Sequence, residues 1–292
     1  TLTLAQAKTV GAMAFLSGNG YQLEGAPITL DNGAATATIV TSAGSNTVTC
    51  ALTIASPWLV GGSTNAWLSL LGPVQGSSAL SIQTGNVVLQ GSNQLTGPVG
   101  LDNASLIVST ASAFPQGPIT VTGGGNSRLR YYGADRIVSN AVEIKSASFE
   151  LAPRSAVLTH AGNVLFSGSS TYSMVKYGAG EFVLAGTGTG SAARIQLDEG
   201  PLGFAAGANY VLGNRSERDT FRCTVADKTR AITIDEGAFV QVSGIYSEAA
   251  TSFLLQINGQ LRMTGAYTSS GAAADEVALV RANGWGNDLV RV

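Results

Sequence analysis

The chain has little with which to do chemistry. Its 292 residues include one histidine, His160, and two cysteines, Cys50 and Cys223. A single imidazole excludes a histidine-based metal cluster, and no Cys–His spacing of the zinc type is present. A Ser-His-Asp triad would have to use His160. That residue lies in Leu158-Thr-His-Ala161 with no G-x-S-x-G beside it, so we read it as an ordinary strand-end histidine. Gly186-Thr-Gly-Thr-Gly190 lacks the lysine and the following helix of a phosphate-binding loop.

Charge is scarce too. Asp, Glu, Lys and Arg make up 12% of the chain, about half the usual share, and net charge is −2 with no basic stripe, which argues against a nucleic-acid partner. No apolar run approaches the roughly 18 residues of a membrane span. The deficit is uneven. Residues 1–127 hold only Lys8, Glu24, Asp31 and Asp102, and the other 30 charges lie in residues 128–292. The first part therefore presents Thr, Ser, Asn, Gln, Gly and Ala, with little like-charge repulsion to hold neighbours apart.

What the chain has is glycine, 37 residues, and short β-like runs between glycines. The stretch Lys176–Ala206 shows the pattern well, with runs at Glu181–Ala185, Ala193–Leu197 and Pro201–Ala205. Ile195 and Leu197, then Leu202 and Phe204, alternate with smaller residues, the period-2 mark of half-buried strands. Gly85-Asn-Val-Val-Leu-Gln-Gly91 echoes Gly180-Glu-Phe-Val-Leu-Ala-Gly186 at an offset of 95, and Leu101–Val108 echoes Leu197–Phe204 at an offset of 96. A shorter tetrad, aliphatic–Asp–Asn/Glu–small, recurs around Asp31, Asp102, Asp198 and Asp235, with Ile257-Asn-Gly-Gln-Leu261 a degenerate fifth copy. Each lies between two β runs. Asp and Asn bond nearby amides and glycine supplies positive φ, so each tetrad reads as a structural corner. A rung of roughly 20–25 residues built this way predicts an all-β, right-handed parallel β-helix, a β-solenoid.

Lys176-x-Gly178-x-Gly180-x-Phe-Val-Leu184-x-Gly186, followed by a strand, an acidic Gly corner and Leu202, resembles the passenger-associated transport repeat of bacterial autotransporters. Gly85–Val108 resembles a second, weaker copy, and Thr9–Leu30 is similar to segments that flank such repeats. The resemblance covers about a third of the chain and carries no catalytic residue. It implies a β-helix that is exported to the cell surface or the extracellular space. TLTLAQAKTV reads as strand, so the signal is expected to be removed or to lie outside this chain. The tail, through Asp288–Val292, departs from the full autotransporter architecture, which ends in a long barrel-forming region.

Along the chain, residues 1–292 are expected to form a single elongated domain: nearly uncharged rungs over 1–127, charged rungs over 128–292, and an excursion near 207–230. That excursion is a loop, or a short helix near Ser216–Phe221. Thr47–Ile54 reads as one strand, and residues 56–76 as a looser, loop-rich stretch. Trp58 and Trp67 within it form a sugar-stacking platform or cover the open side of a rung. Alternation puts Arg128, Arg130 and Tyr132 on one face and Leu129 and Tyr131 on the other. Cys50 and Cys223 are 173 residues apart, close to eight rungs, or roughly 38 Å, so they are expected to remain unpaired.

The expected function is structural or adhesive, without catalysis and without a cofactor. The enzymatic alternative is a polysaccharide lyase, glycosidase or tailspike-like protein. It would need paired carboxylates, for which Asp198, Glu199, Asp235 and Glu236 qualify if they stack at equivalent corners. The expected partners are copies of the chain itself, through an exposed edge at Thr1, Leu2, Thr3 and Leu4, and surface or matrix polysaccharide.

Overall fold

The computed structural model describes residues 1–123, 127–145, 148–154, 156–167, 172–190, 193–213, 220–223, 231–247, 254–263, 267–269 and 278–280. These residues form short parallel strands stacked turn upon turn, a β-solenoid. The only helical turn among them is Ala111–Ala113. The chain divides into two compact units, Thr1–Ala134 and Asp135–Val292, close to the step in charge after Ser127.

In the first unit the turns over residues 2–102 each contribute a strand to each of three ladders. Ladder A starts with Leu2–Leu4, Gln22–Gly25 and Ser45–Val48 and reaches Ser127–Tyr131. Ladder B runs from Lys8–Val10 to Gln94–Leu95, and ladder C from Ala12–Phe15 to Ile119–Val121. The step between turns is 19 residues at its shortest, Leu70 to Leu89, and 26 at its longest, Ala12 to Thr38. In-register pairing stacks like on like. Ile39, Val60, Ile82, Leu101 and Val121 form one inward column of ladder C, all essentially buried. Each such side chain contributes about 2 kcal/mol by leaving water. Leu129 and Tyr131 face inward as expected, while Arg128 and Arg130 are half-buried on the outside.

The second unit repeats the scheme. Ladder D begins at Arg136–Val138, ladder E at Val142–Ile144 and ladder F at Ser148–Pro153. Its steps run from 20 residues, Leu184 to Phe204, to 30, Phe204 to Ile234. The 30-residue step spans the expected excursion. Asn209–Leu212 still belongs to ladder E, and residues 214–219 and 224–230, with most of the expected helix, lie outside the described residues. Of the tail, only Ala278–Val280 is described, as a strand on Leu254–Ile257. The core is aromatic here: Phe204 meets Tyr210 edge-on at 5.3 Å and Phe221 at 5.8 Å. Tyr210 lies in register with Gly188 on the preceding turn, and a Cβ at Gly188 would come within 2.2 Å of its Cδ1 and Cε1.

Two sequence expectations are corrected. Thr47–Ile54 is not one strand but parts of two, Ser45–Val48 and Leu52–Ile54, with Cys50 buried at the corner between them. No glycine or proline marks that corner. Residues 56–76 are not loop but a full turn, with strands Trp58–Gly62, Trp67–Leu70 and Val74–Gly76. The prolines misled because proline usually ends a strand pattern. Here six of the eight, Pro27, Pro57, Pro73, Pro98, Pro118 and Pro201, stand immediately before a strand. Each offers its carbonyl to the first N–H of the strand one turn earlier, as Pro57 O accepts from Ala37 N at 2.7 Å.

Candidate functional site

The four aspartates lie at strand ends, but not at one kind of corner. Asp31 follows the ladder B strand Ile28–Leu30, and Asp102 ends the ladder C strand Val99–Asp102. In the second unit Asp198 follows ladder F and Asp235 follows ladder D. Asp198 and Asp235 therefore occupy different corners of the turn, so the stacked acid pair that the enzymatic reading calls for is not formed. Only Ile234 and the degenerate copy at Ile257 are in register, 23 residues apart. The tetrad marks corners in general and carries no register. The two linked repeat matches likewise amount to one feature, a complete turn: Leu89 pairs with Val108, and Leu184 with Phe204.

Asp31 shows how a corner closes in the first unit. Its Oδ1 accepts from Gly33 N at 2.9 Å and from Ser56 Oγ on the next turn at 2.8 Å, while Ser56 Oγ accepts from Asn32 N. These bonds, that of Ser56 first, hold the carboxyl below its ordinary value. Buried asparagines, missed in the sequence, do the same inside the core. Asn46 takes Tyr21 N at 3.0 Å and donates to Ala43 O. Asn93 accepts from Val74 N one turn back and donates to Ala113 O one turn on. Asn103, beside Asp102, supplies a positive φ of 51°.

The second unit adds buried bases. Lys176, which opens the passenger-repeat motif, ends strand Tyr172–Lys176 in an inward column between Leu151 and Leu197, with no exposed surface. Its Nζ donates to Gly178 O at 2.6 Å and to Glu199 O on the next turn at 2.8 Å. Glu199 returns the contact by accepting Gly178 N at 3.0 Å. Gly178 and Gly200 hold positive φ at 88° and 70°, the conformations of the two corners whose carbonyls, Gly178 O and Glu199 O, meet the ammonium. Burial lowers the lysine pKa to about 8, with the charges of Glu199 and Glu181 pulling it back up. The arrangement is a brace between consecutive corners. Asp198, beside it, accepts from Gln196 at 2.9 Å.

His160, at the end of its strand as expected, is also turned inward, between Val138 and Leu184 on ladder D. Its Nε2–H donates to Asn140 O at 2.8 Å, so Nδ1 carries the lone pair, and Nδ1 is buried without a partner. Phe182 lies beside the ring at 6.4 Å. Desolvation lowers its pKa.

The two tryptophans do not form a platform. Trp58 heads a ladder C strand and is 1% exposed, so neither ring face is offered to a sugar. Trp67 is on ladder A, 37% exposed, between Ser45 and Asn86 on the outward side. The Leu2–Leu4 strand pairs with Gln22–Gly25 on one side and with nothing on the other among the described residues. Leu2 is 61% exposed, and Thr3 donates to Glu24 at 3.0 Å. Cys50 is a free, buried thiol whose pKa is raised by desolvation. The backbone of Cys223 pairs with Leu197, and its side chain lies outside the described residues. No helix among the described residues is long and apolar enough to cross a membrane.

Comparison with protein families, with curated proteins and with solved structures yields no match.

Proposed function

We propose that this chain is a structural, adhesive β-solenoid of the cell surface or extracellular space, associating with copies of itself through its strand edges. The observation that carries the reading is the first unit's lack of charge. Residues 1–127 hold Lys8 as their only basic residue, with three acids, and Leu2, Thr3, Ala12 and Ala14 on the first strands are exposed. Natural edges are usually blunted by lysine, proline or a covering element. The corner aspartates favour scaffold over catalysis, since Asp31 and Asp198 spend their oxygens on turn contacts. The passenger-repeat resemblance supports export.

Electron microscopy and sedimentation at micromolar concentration test this. Filaments or oligomers are expected, and they should persist near 1 M salt, where the Debye length falls to roughly 3 Å. Thr1→Lys with Thr3→Lys should weaken them. A monomer at both low and high salt defeats the self-association reading.

A second reading rests on Trp67. An aromatic ring exposed among Ser45, Ser69 and Asn86, with uncharged residues paired on both sides of it, suits stacking on a neutral polysaccharide. On this reading Trp67→Ala weakens retention on a neutral polysaccharide matrix and no cleavage accompanies binding. Unchanged retention removes it.

A further inference from the structure

We infer that the second unit carries an acid-operated latch: protonation of His160 opens the corner between ladders D and E while the first unit stays closed.

The geometry is that of a side chain fitted for one protonation state. Its single hydrogen bond, Nε2–H to Asn140 O, holds the strand-end ring against the corner of the preceding turn. Its column neighbours are apolar, Val138 before it and Leu184 after it, and Phe182 lies alongside. A second proton would go to Nδ1, which is buried and has no acceptor. A buried donor without a partner costs free energy, and a buried charge costs more.

No neighbouring carboxylate offsets that cost. On the preceding strand the charged group is Arg136, in register with Leu158 at the far end. Asp135, just before it, accepts from Val157 N at 2.8 Å. On the following strand Glu181 precedes Phe182, and its charge bears on Lys176. On ladder E, Glu143 is taken by Ser167 at 2.6 Å and Lys145 at 3.0 Å. On ladder F, Glu150 alternates with inward Leu151 and so lies on the outward side. None of them bonds to the ring. Lys176, the other buried base, adds a positive charge to the same unit.

The sign follows from linkage. The folded pKa is depressed below the unfolded value of roughly 6.5, so the opened corner binds the proton more tightly. The stability is fully present above about pH 6.5 and is lost as pH falls from there through the folded pKa. Within that window each pH unit raises the open fraction by up to about tenfold. The first unit contains no histidine and has no such window.

Because His160 is the only histidine, its imidazole proton signal can be titrated by NMR in the wild-type chain without assignment. We expect a midpoint below 6.5. Hydrogen exchange at pH 7.5 and 5.0, corrected for intrinsic rate, should rise at pH 5.0 in peptides covering 136–144 and 158–166, by up to about thirtyfold. It should not change in peptides covering 28–54. His160→Gln keeps a donor for Asn140 O and cannot titrate, so it should abolish the acid response. If that variant does not fold, the wild-type titration and exchange decide. A midpoint at or above 6.5 overturns the latch, as does equal acid opening in both units or an acid response kept in His160→Gln.

Discussion

The two units use the same strands and differ in what their corners add. In the first, corners close with neutral amides and hydroxyls, such as Asn46, Asn93 and Ser56, plus the exposed carboxylate of Asp31. In the second, the hydroxyl of Thr220 and the carboxylate of Asp135 do the same, and two bases turned inward, Lys176 and His160, join them. Both solutions meet one requirement, since backbone groups of consecutive turns that stop pairing at a corner must find other partners. The difference lies in what each is sensitive to. An amide bridge responds to neither pH nor salt. A buried ammonium or imidazole ties stability to protons, because moving a charge out of water is costly.

The largest contrast should come from glycine. Gly188→Ala places a methyl group 2.2 Å from two ring carbons of Tyr210 and should destabilise the second unit by about 3 kcal/mol in urea unfolding. Gly100→Ala in the first unit, whose Cβ would approach nothing nearer than Leu80 O at 3.8 Å, should stay within about 0.5 kcal/mol. Equal effects would break the claim that the second core is packed around its aromatic stack.

Next comes Lys176→Met, expected to cost about 2 kcal/mol at pH 7 by leaving Gly178 O and Glu199 O unpaired. Its cost should grow with alkalinity. The lysine pKa is depressed in the folded state, so between pH 8 and 10.5 the unfolded chain holds the proton and the wild type gains stability as pH rises. From pH 7 to 9.5 the difference between wild type and variant should widen by about 2 kcal/mol. A constant difference would mean that the ammonium is not desolvated.

Asn93→Ala is the matching change in the first unit. It strands Val74 N and Ala113 O and should cost about 1–2 kcal/mol at every pH. Smallest of all is Asp31→Asn. Its carboxyl is held low by Ser56 and Gly33, so it stabilises the first unit above its ordinary pKa of 3.8 and loses that contribution in stronger acid. The variant should differ from wild type in melting temperature near neutrality and converge with it as pH falls through the depressed value.

Much of the solenoid was legible because its strands announce themselves. The run Ala193–Leu197 is a strand over the same bounds, and the strands Phe182–Leu184 and Leu202–Phe204 lie inside the runs expected there. The alternation at Leu129 and Tyr131 held because half-buried strands have a period of two. Failures came where punctuation was absent or misleading. Nothing local marks the turn at Cys50, which is set by pairing with neighbouring turns. Prolines before strands read as breaks although they serve as acceptors. The acidic tetrads located corners but could not say which corner, since the three ladders are chemically alike. Least legible were the closures themselves. Asn93 and Lys176 are polar residues that a sequence pattern assigns to the surface, and only the convergence of three turns reveals the carbonyls they meet.

The central claim, that a buried charged side chain braces the second unit, is tested most directly on Lys176 itself. The chain has four lysines, Lys8, Lys145, Lys176 and Lys228, so carbon-13 labelling at lysine Cε gives four signals to follow by NMR. One signal, identified by its loss in Lys176→Met, should titrate near pH 8, below the ordinary lysine value of about 10.4. If that signal titrates at or above the ordinary value, Lys176 is in water and the brace does not exist.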